Sequence, residues 1–317
     1  CGEVMNDGLL GVLRLAFVAL QNISFTVVVG ALLCDTWLSR STSQWQTSVS
    51  GHLLFTLRIG SFTALVASAV AFWIHCALMS ESTLADAGPA VRSMLQETGF
   101  GYAWLAGAGL MLIVTILSLL QSARPIRFKP AIWLALSGVA LSRSHAGHPV
   151  DAGVLSLPVW VDWVHLLAIS IWVGLVLVTT YVVLPRMFNA PVPERVNSAA
   201  FVQSLSDAAT FALVILFITG AYSGWRGVNT QGSLISSVYG QVLLLKLGLV
   251  LVAAVLGGHN RFVEMPRLLA SLRDARPEAT VRPLKRFAAV LHIESLVLAG
   301  VVVAAAVLVS SPLPGTT

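Results

Sequence analysis

"LVLAGVVVAAAVLV", residues 296–309, is the stretch that decides the fold. A strand of a membrane barrel alternates apolar residues toward lipid with polar residues toward the lumen, and this run has no alternation at all. "LVLVAAVLGG", residues 249–258, has the same character. Inside hydrocarbon each backbone N–H and C=O must find its partner within the protein, so a run of this kind forms a helix. A hydrocarbon core about 30 Å thick takes roughly 20 apolar residues per crossing. Outward from residues 296–309, the chain offers eight stretches near that length, at about 9–33, 53–79, 101–121, 130–143, 158–184, 205–224, 239–258 and 286–310. The expected fold is all-α, a polytopic transmembrane bundle of eight helices. It divides into a four-helix half at 1–143 and a second four-helix half at 144–317. Composition agrees, with 56% apolar residues, 10% charged residues and a mean hydropathy of +0.84.

Lys and Arg in the connections orient such a bundle, because the cytoplasmic side carries the excess. With the N-terminus outside, the inner connections hold Arg40, Arg124, Arg127, Lys129, Arg186, Arg195, Arg261, Arg267, Arg273, Arg276, Arg282, Lys285 and Arg286. The outer ones hold only Arg92, Arg143 and Arg226. Both termini are therefore expected outside, which in a bacterial inner membrane is the periplasm. The net charge of +5 is a topogenic signal, and the basic 258–286 connection is expected against anionic lipid headgroups, not nucleic acid. The three cysteines, Cys1, Cys34 and Cys76, make no disulfide framework. Cys1 is open to two readings, a processed lipid-bearing start or residue left ahead of a native start at Met5.

"SRSHAGHPV", residues 142–150, ends the shortest apolar stretch and carries His145 and His148 to the outer face. The fifth stretch, "LPVWVDWVHLLAISIWVGL", puts Asp162, His165, Ile169 and Trp172 on one helical face. A carboxylate three residues before a histidine can accept one ring N–H and raise the basicity of the nitrogen left for a metal. The other reading has Asp162 at the helix entry, favoured by the dipole, and His165 bonded to a neighbouring helix. His75, Cys76 and Met79 close the second helix as secondary candidates. Thiolate and thioether favour Cu(I), and imidazole accepts Cu(I) or Cu(II).

Ionisable groups inside the bilayer are costly and need partners or a purpose. Counting about 1.5 Å per residue, Glu294 and Arg58 lie about 12 and 9 Å from the inner surface and are expected to pair. Lys246 and Arg14 lie in the outer half, as packing partners, snorkelling chains or coupling charges. No Cys-x-x-Cys, HExxH or Walker-type loop occurs, so no enzymatic activity is expected.

"GHPVD", "DWVH" and "WVG", followed by "VYGQVLLLKLGLV", "HNRFVEMPRL", Glu294 and Pro312, resemble the pattern of the copper resistance D family of inner-membrane proteins. The second-half resemblance centres on about 200–310. It implies eight helices with both termini outside, copper as cargo moving from periplasm toward cytoplasm, and a small periplasmic copper-binding protein of the C type as partner. His145 is an addition to the family pattern. Copper would be received at His148, with His145, and passed to His165. Two other functions stay open from the residues. One is a b-type cytochrome with haems in two histidine layers, His75, His145, His148 and His165 outside and His52, His259 and His292 inside. The other is a copper-binding sensor or assembly protein that transports nothing.

Overall fold

Proline and close glycine contacts set where the helices of this chain bend and cross. The computed structural model describes residues 2–38, 43–121, 128–190, 198–228, 238–273 and 277–310, and every regular element there is helical. In chain order these are α1 (Gly2–Leu38), α2 (Gln44–Met79), α3 (Gly88–Glu97), α4 (Gly99–Leu120), α5 (Lys129–His145), α6 (Leu157–Val178), α7 (Leu184–Phe188), α8 (Ser198–Val228), α9 (Val238–His259), α10 (Met265–Arg273) and α11 (Pro277–Ser310). A 3₁₀ turn, His148–Ala152, precedes α6. Cys1 lies outside the described residues.

Among the described residues, 7 helical segments are long and apolar enough to cross a membrane, making this a multi-pass membrane bundle. The expected stretch at 130–143 is also a helix. At 17 residues, α5 spans about 25 Å, below the length of the other seven. It is nonetheless deep in the bundle, with Ile132, Leu136 and Ala140 fully buried against α4 and α6. The 258–286 connection differs from expectation, because helix continues through much of it: one span runs Gly240–Leu272.

The bundle is built around α1 and α6. In the most apolar window of their spans 56% and 67% of residues are buried, against 6% for the span of α9 and α10, which turns its apolar side chains outward. Lipid is as apolar as a leucine face, so helix association there depends on close packing of small residues. Gly30 and Gly174 provide it: a Cβ on Gly30 would lie 2.2 Å from the Gly174 carbonyl carbon, and one on Gly174 would lie 2.0 Å from the Thr26 oxygen. The two backbones touch at mid-span.

Two of the long spans carry the same irregularity. "YVVLPRM" at 181–187 and "FVEMPRL" at 262–268 share a proline that lacks an N–H and whose ring crowds the carbonyl four residues before it. In both, a π-helical turn absorbs the mismatch, Thr179–Val183 before Pro185 and Asn260–Glu264 before Pro266. The Leu184 N–H reaches back to the Thr179 carbonyl and the Met265 N–H to that of Asn260, each one residue further than in an α-helix.

Buried charges tie the ends. Asp35, fully buried, pairs with Lys129 at 2.8 Å and accepts the Ser50 hydroxyl, joining α1, α5 and α2. Arg58 does not pair with Glu294. It donates to the carbonyls of Ser118 at 3.0 Å and Gln121 at 2.5 Å, where the end of α4 leaves carbonyls without helical partners and favours a cation.

Candidate functional site

Two polar layers interrupt the apolar interior, one near the start of α6 and one two turns deeper. In the first, Asp162 and His165 share a face of α6 as the three-residue spacing requires, but they are held by different neighbours. Ser144, buried at the end of α5, donates to Asp162 Oδ2 at 2.7 Å. Arg143 and Lys246 are the cations whose fields reach that carboxylate. Arg143 is fixed in turn by Asn22 of α1 and lies 5.9 Å over the Phe25 ring. Asp162 is therefore held by Ser144 within the field of two cations, and among the described residues the expected Asp162–His165 hydrogen bond does not form.

His165 is oriented instead by Thr219 of α8, with Nδ1 2.8 Å from Oγ1. The Thr219 hydroxyl has one proton, and its 2.8 Å contact to the Ile215 carbonyl uses it. With that proton on the Ile215 carbonyl, Oγ1 accepts from His165, an assignment from the hydrogen-bond network that places the ring proton on Nδ1. Nε2 keeps its lone pair and has no partner among the described residues. A fixed tautomer with one free nitrogen is what a second ring contact confers on a metal-binding imidazole. Threonine takes the part that the sequence assigns to Asp162. The position was within reach of depth counting, since His165 and Thr219 lie about 12 and 13 Å from their helix ends on the same side of the bundle.

The remaining candidates do not converge on His165. His145 has Nδ1 2.9 Å from the Leu141 carbonyl and Nε2 3.0 Å from the Val154 carbonyl, so both nitrogens face backbone. The backbone of His148 opens the 3₁₀ turn after Gly147, and its side chain lies outside the described residues. His75 stacks edge-on against Phe100 at 5.3 Å, with Arg14 as its charged neighbour and a buried Nδ1 that has no partner among the described residues. Cys76 is fully buried and Met79 is 67% exposed, so they do not share a pocket. Among the described residues no three His, Cys, Asp or Glu side chains gather as a ready metal site.

Trp172 belongs to the deeper layer and not to His165, because seven residues of helix separate them by about 10 Å. Its indole N–H donates to Glu294 Oε1 at 3.1 Å, and both side chains are 2% exposed. Gly257 stands beside the carboxylate, where a Cβ would come within 3.0 Å of Oε1. Glu294 and Trp172 line a cavity of about 250 Å³ together with Asn260, Met265 and Arg261. Of this layer, the sequence singles out Glu294 and Trp172 as candidates and Arg261 as an inner cation, and it carries Asn260 and Met265 only within "HNRFVEMPRL", without a site role. The signal was the asparagine and glutamate beside a proline in an otherwise apolar span.

Two family models match. One described as "Copper resistance protein D-like, N-terminal domain" covers residues 5–157, and one described as "Copper resistance protein D" covers residues 199–308. Thr219, Lys246, Asn260 and Glu294 fall within the second match, while Asp162, His165 and Trp172 lie between the two. The copper transport protein CutJ of Bacillus subtilis (strain 168) is 28% identical over 172 residues, which are 53% of this chain and 31% of that protein. This chain thus spans about a third of that relative's length. No solved structure matches.

Proposed function

The chain belongs to the copper resistance protein D family, and from that premise we propose that it carries copper across the bacterial inner membrane, from periplasm toward cytoplasm, as a carrier and not an enzyme. The observation that supports this most directly is His165: an imidazole inside the bundle, held by Thr219, whose Nε2 has no partner among the described residues. In this reading α5 is an eighth crossing, both termini face the periplasm, and His165 lies in the outer half. The excess of inner Lys and Arg supports that orientation.

Copper enters at the turn bearing His148, delivered by a small periplasmic copper-binding protein of the C type, and moves to His165. A carrier must release what it binds, so few ligands at each station suit transport better than a closed site. The Asp162 carboxylate offsets part of the positive field of Arg143 and Lys246, which lowers the barrier to a positive cargo beside His165. The test is copper accumulation in cells expressing the His165→Ala variant. Accumulation should fall to the level of cells without the protein while the amount of folded protein in the membrane is unchanged. Normal accumulation in that variant would sink the reading.

A further inference from the structure

The deeper layer has a chemistry that the first lacks. Glu294 is a carboxyl group 2% exposed, and no described cation pairs with it. The charged groups on the elements around it are engaged elsewhere. Arg261 bonds Asp207 at 3.0 Å and Ser206 at 2.7 Å. Glu264 is met by Arg267 at 3.0 Å and His259 at 3.6 Å. His292 faces the Ala288 carbonyl through Nδ1 at 2.7 Å, and Trp172 brings only an uncharged N–H from α6.

An ionised carboxylate buried without a countercharge is costly enough that it holds a proton or a cation instead. Space for a cation is present, because the cavity of about 250 Å³ far exceeds the roughly 15 Å³ that a single water requires. Asn260 also lines it and carries a second oxygen at the cavity wall. Asn260 is 4% exposed and its Oδ1 is buried with no hydrogen-bond partner among the described residues, a vacancy that native interiors rarely tolerate. The π-turn is what places Asn260 there: without the extra residue per turn ahead of Pro266, its side chain would take a different azimuth on α9. Met265, the next residue after the turn, also lines the cavity and adds a soft thioether to the local set.

We propose that Glu294 and Asn260 form an exchange site at which a monovalent metal cation replaces the proton of the Glu294 carboxyl group. The O–H bond of the carboxylic acid breaks, its proton leaves through the cavity, and the cation binds the carboxylate and the Asn260 oxygen. Charge in the layer is the same before and after, and nothing is oxidised or reduced. The identity of the cargo as copper rests on the carrier reading; the exchange does not. At His165 the same cation would bind an unprotonated Nε2 and release no proton, so proton counting separates the two layers.

The experiment uses the full chain, with Cys1, Cys34 and Cys76 replaced by serine throughout so that no thiol proton is displaced, purified in detergent, lightly buffered and titrated with silver ion as a redox-inert monovalent probe. Bound silver is read by elemental analysis and released protons by an indicator dye. This parent chain should release about one proton for each ion bound at the deeper layer. Glu294→Gln should abolish the proton release while retaining the silver bound through His165. Asn260→Leu keeps the carboxyl group and should weaken that silver binding about tenfold with the proton ratio unchanged, which also covers a Glu294→Gln protein that does not fold. Proton release that persists in Glu294→Gln, affinity unchanged in Asn260→Leu, or no silver retained by the parent chain would each overturn the exchange site. Failure of the carrier reading looks different: Glu294-dependent proton release would persist although His165→Ala cells accumulate copper normally.

Discussion

The two polar layers share α6 as a wall and differ in how their charges are closed. Around Asp162 a carboxylate accepts from a serine hydroxyl within the field of two cations, and the histidine beside it is held by a threonine. Around Glu294 the carboxyl group meets one indole N–H and an open cavity, and a neighbouring amide oxygen has no partner among the described residues. A closed layer can hold a neutral ligand atom at a set angle. An open one must fill itself from outside, with a proton or a cation. The same contrast separates the two π-turns: Thr180 of the first bonds the Leu291 carbonyl at 3.5 Å and Tyr181 meets Ser295 at 3.1 Å, whereas in the second Asn260 Oδ1 and Glu264 Oε2 have no partner among the described residues. One backbone device serves first to seal and then to open.

The largest effect expected is on both layers together. Gly174 lies between His165 and the first π-turn, and the contact it makes with Gly30 and Thr26 seats α6 on α1. A Gly174→Leu side chain has no direction in which to yield, since the atoms 2 to 3 Å from its Cβ are backbone. Overpacking of this kind costs roughly 1–3 kcal/mol and more where backbone must move. Folded protein should be lost or shifted to a much lower melting temperature by size-exclusion fluorescence in detergent. Gly248→Leu on outward-turned α9, where a Cβ meets nothing within 4 Å, should melt like the wild type. Equal behaviour of the two variants would mean that the α1–α6 contact does not hold the layers in place.

Much of this was legible in the sequence, and what was not has a common cause. Residues 296–309 sufficed for the all-helical membrane class, and the spacing of Asp162 and His165 gave their shared face. Depth along a helix can be counted at a fixed rise, so the layers themselves were visible. Azimuth cannot be counted across helices. Arg58 and Glu294 have similar expected depths, yet Arg58 turns to the end of α4 and Glu294 to Trp172. Asp35 and Lys129 were unremarked as a pair because one ends a helix and the other opens a distant one. The π-turns also shift azimuth, and their only trace in the sequence is the repeated proline-arginine pair.

Thr219 offers a sharper break, confined to the first layer. Thr219→Val keeps the volume but removes the acceptor that fixes the His165 proton. Copper retained by the purified protein should weaken about 10- to 100-fold, the usual consequence of losing a ligand's orienting partner. Thr219→Ser, which keeps the hydroxyl, should restore it. The Glu294-dependent proton release should be untouched in both variants. Loss of that release in Thr219→Val would mean that the layers are one site and that the comparison between them fails.

The smallest effect is expected at His145, which the sequence places beside His148 at the outer face. Its two nitrogens face the carbonyls of Leu141 and Val154, which ties the last turn of α5 to the segment ahead of α6. A neutral imidazole carries one N–H and can donate to only one of them, so the other contact contributes little unless the ring is charged. His145→Gln can supply an amide N–H to one carbonyl and should cost about 1 kcal/mol or less, within the range of a single net hydrogen bond. Copper accumulation should stay within about twofold of the wild type, because RT ln 2 at 25 °C is about 0.4 kcal/mol and the variant removes no free ligand atom. His148→Gln, measured beside it, isolates the turn's other imidazole. A large loss in His145→Gln would show that copper entry draws on His145 after its release from the backbone, and the contrast would then lie between a mobile entrance and the fixed layers below it.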